Sequence, residues 1–129
     1  MKQNSIEILA PAGSFDSLIA AVRSGADAVY LGASSFSARA NAHNFDNSEL
    51  KQAADYCHAR GVKLYLAVNT LLRQDELPAA LDLVRYACSL PVDAVIIQDP
   101  GLIWMLRVCC PDLHLNASTQ MSIHTPAGA

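Results

Sequence analysis

The sequence predicts an α/β fold: parallel βα repeats in an incomplete TIM-barrel-like array of five strands, four helices and the start of a fifth. Three observations predict it. Strand-like and helix-like runs alternate from end to end, as in chains that build parallel sheets. The strand-like runs are nearly continuous in apolar residues, the pattern of strands covered on both faces. The final residues, Thr125-Pro126-Ala127-Gly128-Ala129, read as the opening of another helix, with Thr125 placed to cap it and Pro126 suited to its first position.

The first strand is predicted over Ile6 to Ala10, apolar apart from Glu7. Pro11-Ala12-Gly13 turns the chain, Ser14 caps a helix running to Ser24, and Gly25 ends it. Strand two spans Asp27 to Leu31 and is followed by Gly32 and a polar loop, residues 33–46, too long for a mere connector. Asp46 with Glu49 three residues on makes a capping box for a helix that runs to Arg60 and stops at Gly61. Strand three is Val62 to Val68, with Asn69-Thr70 at its end. Asp75 is the expected cap of the next helix, which tolerates Pro78 because it lies in the first turn. Strand four is Asp93 to Ile97, then Gln98-Asp99, and Pro100 opens helix four. Strand five is Leu113 to Ala117, then Ser118-Thr119-Gln120.

An internal echo links Gly25-Ala26-Asp27-Ala28-Val29-Tyr30-Leu31-Gly32 to Pro91-Val92-Asp93-Ala94-Val95-Ile96-Ile97-Gln98. It puts Asp27 and Asp93 where strands begin, the end of a βα barrel that serves stability, so both are read as structural. Two architectures fit the spacing: a βα barrel, which needs about 200 residues or more to close, and a doubly wound open sheet, which fits this length. The unfinished fifth helix favours the barrel. Five strands in an open arc would leave bare parallel edges through which the chain could self-associate.

At 129 residues, 52% apolar and 16% charged, the chain has the composition of one globular domain with a true core. A net charge of −3 gives no general attraction to nucleic acid or anionic lipid. No apolar run approaches the roughly 18 residues of a membrane span, and the N-terminus has no leader pattern, so a cytoplasmic protein without a membrane partner is expected. The cysteines, Cys57, Cys88, Cys109 and Cys110, form no CxxC pair. Cys57 and Cys88 fall on helical core stripes, and adjacent Cys109 and Cys110 are poorly placed to share a metal, so reduced buried thiols and no metal site are expected.

In either architecture the chemistry sits beyond the C-terminal ends of the strands. Those ends supply Arg39 and Asn41 in the long loop, Asn69 after strand three, Gln98 and Asp99 after strand four, and Ser118 and Gln120 after strand five. These are the candidate ligand-binding residues; no catalytic residue is assigned. Amides and hydroxyls orient a polar ligand by hydrogen bonds, and Arg39 suits bidentate capture of a carboxylate or phosphate. Capping of the following helix is the simplest role for Asp99, directly before Pro100. HExxH, GxSxG and GxGxxG are absent, and no sequence neighbour supplies a base to Ser118.

Several stretches together carry a resemblance. They are Leu9-Ala10-Pro11-Ala12-Gly13, Gly25 to Gly32, Phe36-Ser37-Ala38-Arg39-Ala40-Asn41-Ala42, Asn69-Thr70-Leu71, Val95-Ile96-Ile97-Gln98-Asp99-Pro100-Gly101 and Asn116-Ala117-Ser118-Thr119-Gln120-Met121. In this order they resemble the collagenase-like protease family, peptidase family U-32, over essentially the whole chain. The resemblance implies that residues 1–129 are the N-terminal part of a longer, barrel-like protein, truncated here. It implies either a peptidase with collagen as the named substrate, or oxygen-independent hydroxylation of a transfer-RNA uridine, a ribosomal-RNA cytidine or a quinone precursor. Prephenate is the implied hydroxyl source for the RNA branches, which makes RNA and a small carboxylate the implied partners. The Ala117-Ser118-Thr119-Gln120 and Arg39-Ala40-Asn41 stretches look most like the ribosomal-RNA branch. Members carry a downstream cysteine quartet that in several holds an iron–sulfur cluster. The four cysteines here do not match it, so no cofactor is implied within this chain, and a cluster only through downstream cysteines of a longer protein. A third reading is an inactive fragment whose motifs report ancestry alone.

Overall fold

The computed structural model describes residues 6–38 and 45–129. Strands β1 (Leu9–Ala12), β2 (Ala28–Gly32), β3 (Lys63–Val68), β4 (Ala94–Ile97) and β5 (Leu115–Ala117) form one sheet. Helices α1 (Phe15–Arg23), α2 (Asn47–His58), α3 (Leu77–Ser89) and α4 (Pro100–Cys109) connect them in turn. Every strand pair is parallel, and the order across the sheet is the order of the sequence. A doubly wound sheet must reverse its strand order at a switch point. This sheet never does, which is the winding of a barrel wall. Among the described residues, no helix is long and apolar enough to cross a membrane.

The two faces of the sheet differ. Val29 and Leu31 of β2, Leu64, Leu66 and Val68 of β3, and Val95 and Ile97 of β4 pack into the large core with Leu18, Leu50, Val84, Leu102 and Leu106 of the helices. The alternate residues form a separate, smaller cluster of Ala28, Tyr65 and Ala94, flanked by Tyr30 and Ile96, with no helix residue in it. Period-two alternation sends these side chains to the concave side. Apolar residues thus line both faces, while the helices pack on one, as in the wall of a βα barrel.

Local chemistry explains most boundaries. Ser14 caps α1 through a box with Ser17, and Asp46 caps α2 through a box with Glu49. Gly25 and Gly61 adopt positive φ, +92° and +70°. Each closes its helix with the same pair of bonds: Gly25 N–H to Val22 and Ala26 N–H to Ala21, then Gly61 N–H to His58 and Val62 N–H to Cys57.

Several expectations are revised. The first strand lies over Leu9–Ala12 and not Ile6 to Ala10, because pairing with β2 begins at Leu9 opposite Ala28. Pro11 is accommodated inside it because β1 has a neighbour on one side only. Asp75 does not cap α3. Arg73 donates to both of its carboxylate oxygens, and Glu76 takes the N-cap position without a side-chain cap bond. Cys88 is exposed, because Ala80, Val84 and Ala87 take the buried stripe of α3. Cys109 is exposed too, whereas Cys57 is buried as expected. A single turn of 3-10 helix, Thr119–Met121, follows β5. Near the C-terminus Thr125 Oγ1 accepts from Gly128 N–H at 3.2 Å, and residues 126–128 form a turn and not a helix.

Candidate functional site

Beyond the C-terminal ends of the strands, on the concave side of the sheet, lies a cavity of about 480 Å³. Tyr30, Ala67 and Ile96 form its apolar floor, each one an inward residue of β2, β3 or β4. Its polar lining comes from Asn69, Asn116, Ser118, Thr119 and Gln120. The sheet register explains the convergence: Ala67 pairs with Ile96 and Ile96 with Asn116, so inward positions of three strands share one level. Asn69 follows β3 two residues after Ala67 and therefore keeps the inward direction one level higher.

Of the candidates read from the sequence, Asn69, Ser118 and Gln120 line the cavity. Asn69 Oδ1 accepts from Ala38 N–H at 3.1 Å, which ties the β2–α2 loop to the end of β3. Ala38 itself lines the cavity. In the same loop Phe36 adopts φ +65°, costly for a residue with a Cβ, while its ring packs against the core. Ser118 is buried; its backbone N–H extends the ladder to Ile97 O, and its Oγ accepts from Gln120 N–H at 3.3 Å. Gln98 is half-buried beside the cavity, and its Nε2 donates to Gln120 O at 3.4 Å. Arg39 and Asn41 lie outside the described residues.

Asp99 is the candidate the geometry draws away from the cavity. Its Oδ1 accepts from Leu102 N–H at 2.9 Å, capping α4, and its Oδ2 accepts from Leu72 N–H at 3.1 Å. A Cβ on Gly101 would come within 3.1 Å of Oδ1. The Asp99-Pro100-Gly101 sequence thereby has a local reason: a capping carboxylate, a proline at N1 and room beside the cap.

Sequence reasoning missed Asn116 and Tyr30. Both lie inside strands, where they read as ordinary strand residues. The signal was available in the two-residue step from Asn116 to Ser118 and from Tyr30 to Gly32. Asn116 Oδ1 is within 3.0 Å of His114 Nε2, a contact that orients it from below. Among the described residues, no group of three or more His, Cys, Asp or Glu side chains is arranged to hold a metal ion.

A concave parallel wall with its polar groups at the C-terminal strand ends is the architecture of a βα-barrel segment. The model for peptidase family U32 matches residues 13–129, so the chain belongs to that family. It is 36% identical over 124 residues to a protein named collagenase from Porphyromonas gingivalis, spanning 95% of this chain and 30% of that one. It is equally 36% identical to the 23S rRNA 5-hydroxycytidine C2501 synthase of Escherichia coli, spanning 97% of this chain and 18% of that one. With tRNA hydroxylation protein P1 of Bacillus subtilis the identity is 32%, over 91% of this chain and 28% of the relative. These curated relatives are thus more than three times as long as the matched stretch. The structure of the U32 peptidase Mk0906 superposes with a TM-score of 0.71 at 19% identity, covering 99% of this chain and 55% of that one. That likeness establishes the shared fold.

Proposed function

We propose that this chain is the donor-binding part of a U32 enzyme that hydroxylates RNA, with the strand-end cavity holding a small carboxylate of the prephenate type. The observation that carries the reading is the lining of the cavity. Uncharged amides, Asn69, Asn116 and Gln120, and the hydroxyls of Ser118 and Thr119 stand over an apolar floor. Such a lining orients a compact ligand with an apolar ring and polar substituents. With Asn69 Oδ1 occupied by Ala38 N–H, its amide nitrogen is the donor for a ligand oxygen. Arg39 follows Ala38 directly in sequence and is assigned the role of carboxylate clamp. Gln98 supports Gln120, and Asp99 positions the β3–α3 loop. Relatives named for ribosomal and transfer RNA hydroxylation supply the reaction class, and the reading places the enzyme with RNA in the cytoplasm.

The iron–sulfur cluster implied by the resemblance does not fit the cysteines of this chain. Cys57 is buried under α2, and Cys88, Cys109 and Cys110 sit together elsewhere. A cluster would need cysteines from a longer protein.

The test is a comparison of RNA digests by mass spectrometry from cells with and without the gene. Deletion should remove a nucleoside one oxygen heavier than its parent, and the wild-type gene should restore it while Arg39→Ala does not. Digests unchanged by deletion contradict the proposal. A second reading, peptidase action, draws on the collagenase-named relative. It requires the purified intact protein to cleave gelatin and the cleavage to fall in Ser118→Ala. It is the weaker reading, because among the described residues the hydrogen-bond partner of Ser118 Oγ is a backbone amide and not a base.

A further inference from the structure

At the opposite end of the sheet from the cavity, three of the four cysteines gather. Cys88, in the last turn of α3, and Cys109 and Cys110, at the end of α4, line one depression of about 350 Å³ with Val92 and Leu113. The two helices pack side by side, and Cys88 and Cys110 line the same depression between their ends. Cys109, the last residue of α4, is exposed, whereas Cys110 has left the helix, with φ −137° and ψ 66°, and is half-buried. All are free thiols.

We propose that Cys88 and Cys110 are an oxidisable dithiol that closes into a disulfide between the C-terminal ends of α3 and α4 when the protein meets a hydroperoxide. Cys88 is exposed as a residue, but its sulfur is partly withdrawn from water. That burial, and then the neighbouring Cys110 sulfur, push its thiol up to about 11. Cys88 therefore keeps its proton at neutral pH and acts second. The Cys110 sulfur attacks the peroxide: an S–O bond forms, the O–O bond breaks, and water or an alcohol leaves with the thiol proton. The Cys88 sulfur then attacks the Cys110 sulfenic acid. The S–S bond forms, the S–O bond breaks, and hydroxide departs as water with the Cys88 proton. Two thiols lose two electrons and the peroxide gains them; a dithiol reductant reverses the change. The link would staple the α3–α4 pair without touching the cavity.

The intact protein, treated with dilute hydrogen peroxide, is mapped by mass spectrometry without reduction. The expected result is a Cys88–Cys110 peptide pair lighter by two hydrogens and lost on adding dithiothreitol. Cys88→Ser should accumulate a dimedone-reactive sulfenic acid at Cys110. Mapping of the wild-type protein stands alone if that variant fails to fold. Thiols that stay unlinked, a link through Cys109, or cross-links only between molecules would overturn the proposal.

Discussion

The Asp99 carboxylate holds two backbone amides from different segments, Leu102 at the start of α4 and Leu72 in the β3–α3 loop. Replacement by alanine removes a helix cap and strands a part-buried amide. Asp99→Ala is expected to cost about 2 kcal/mol in urea unfolding, with Asp99→Asn recovering part of it. Glu7 plays a comparable part at the other end of the sheet. Its carboxylate accepts from Lys63 Nζ and from Tyr65 Oη, both at 2.6 Å. The Lys63 bond first, then the Tyr65 hydroxyl, hold Glu7 below the usual carboxylate range. Burial and Glu7 push the Tyr65 hydroxyl up, so it remains a donor. A lowered carboxylate pKa stabilises the fold above the unfolded value and is lost as pH falls through the folded one. Glu7→Gln should therefore unfold at lower urea than wild type at neutral pH, and the gap should shrink progressively as pH falls below the ordinary glutamate value of about 4.3. Equal midpoints at neutral pH would count against this bond. The capping role of Asp99 was legible because Asp-Pro is a local signal. The partners of Glu7 lie more than fifty residues away in sequence and were not.

The βα elements repeat a small set of joints. Asp27 N–H donates to Ile8 O while Ile8 N–H donates to Asp27 Oδ2; Asp93 and Leu64 make the same reciprocal pair. Each aspartate thus clamps the start of its strand to the strand before it, and Asp93 also meets His58 Nε2 at 2.7 Å. The internal echo in the sequence reports this joint, which is why both aspartates could be read as structural. The glycine joints were equally legible, because a positive φ after a helix selects glycine from local sterics alone. Gly61 sits at φ +70° with open space around a Cβ, so only backbone strain opposes a substitution. Gly61→Ala is expected to cost about 1 kcal/mol by thermal or urea unfolding; no change would mean the helix end relaxes. Two boundaries resisted reading because distant or competing partners set them. β1 takes its limits from the register with β2, and Asp75 is diverted from α3 by Arg73.

At the scale of the molecule, sequential parallel strands put all the packed helices on one side and leave a concave wall on the other. The sequence could not separate these faces, since Tyr30, Ala67 and Ile96 on the concave side are as apolar as Leu31, Leu66 and Ile97 on the helix side. For the same reason it yielded the rim residues Asn69, Ser118 and Gln120 but not Asn116 and Tyr30 beneath them. The long β2–α2 loop and the rim belong to one construction, joined through Asn69 and Ala38. Under the proposed function this cavity receives the carboxylate donor. The most direct test is titration of prephenate into the intact protein, followed by side-chain amide resonances. Saturable binding is expected, with shifts at Asn69, Asn116 and Gln120 and an affinity about tenfold weaker in Gln120→Ala. Absence of saturable binding, or shifts confined to other parts of the molecule and unchanged by that substitution, would contradict it.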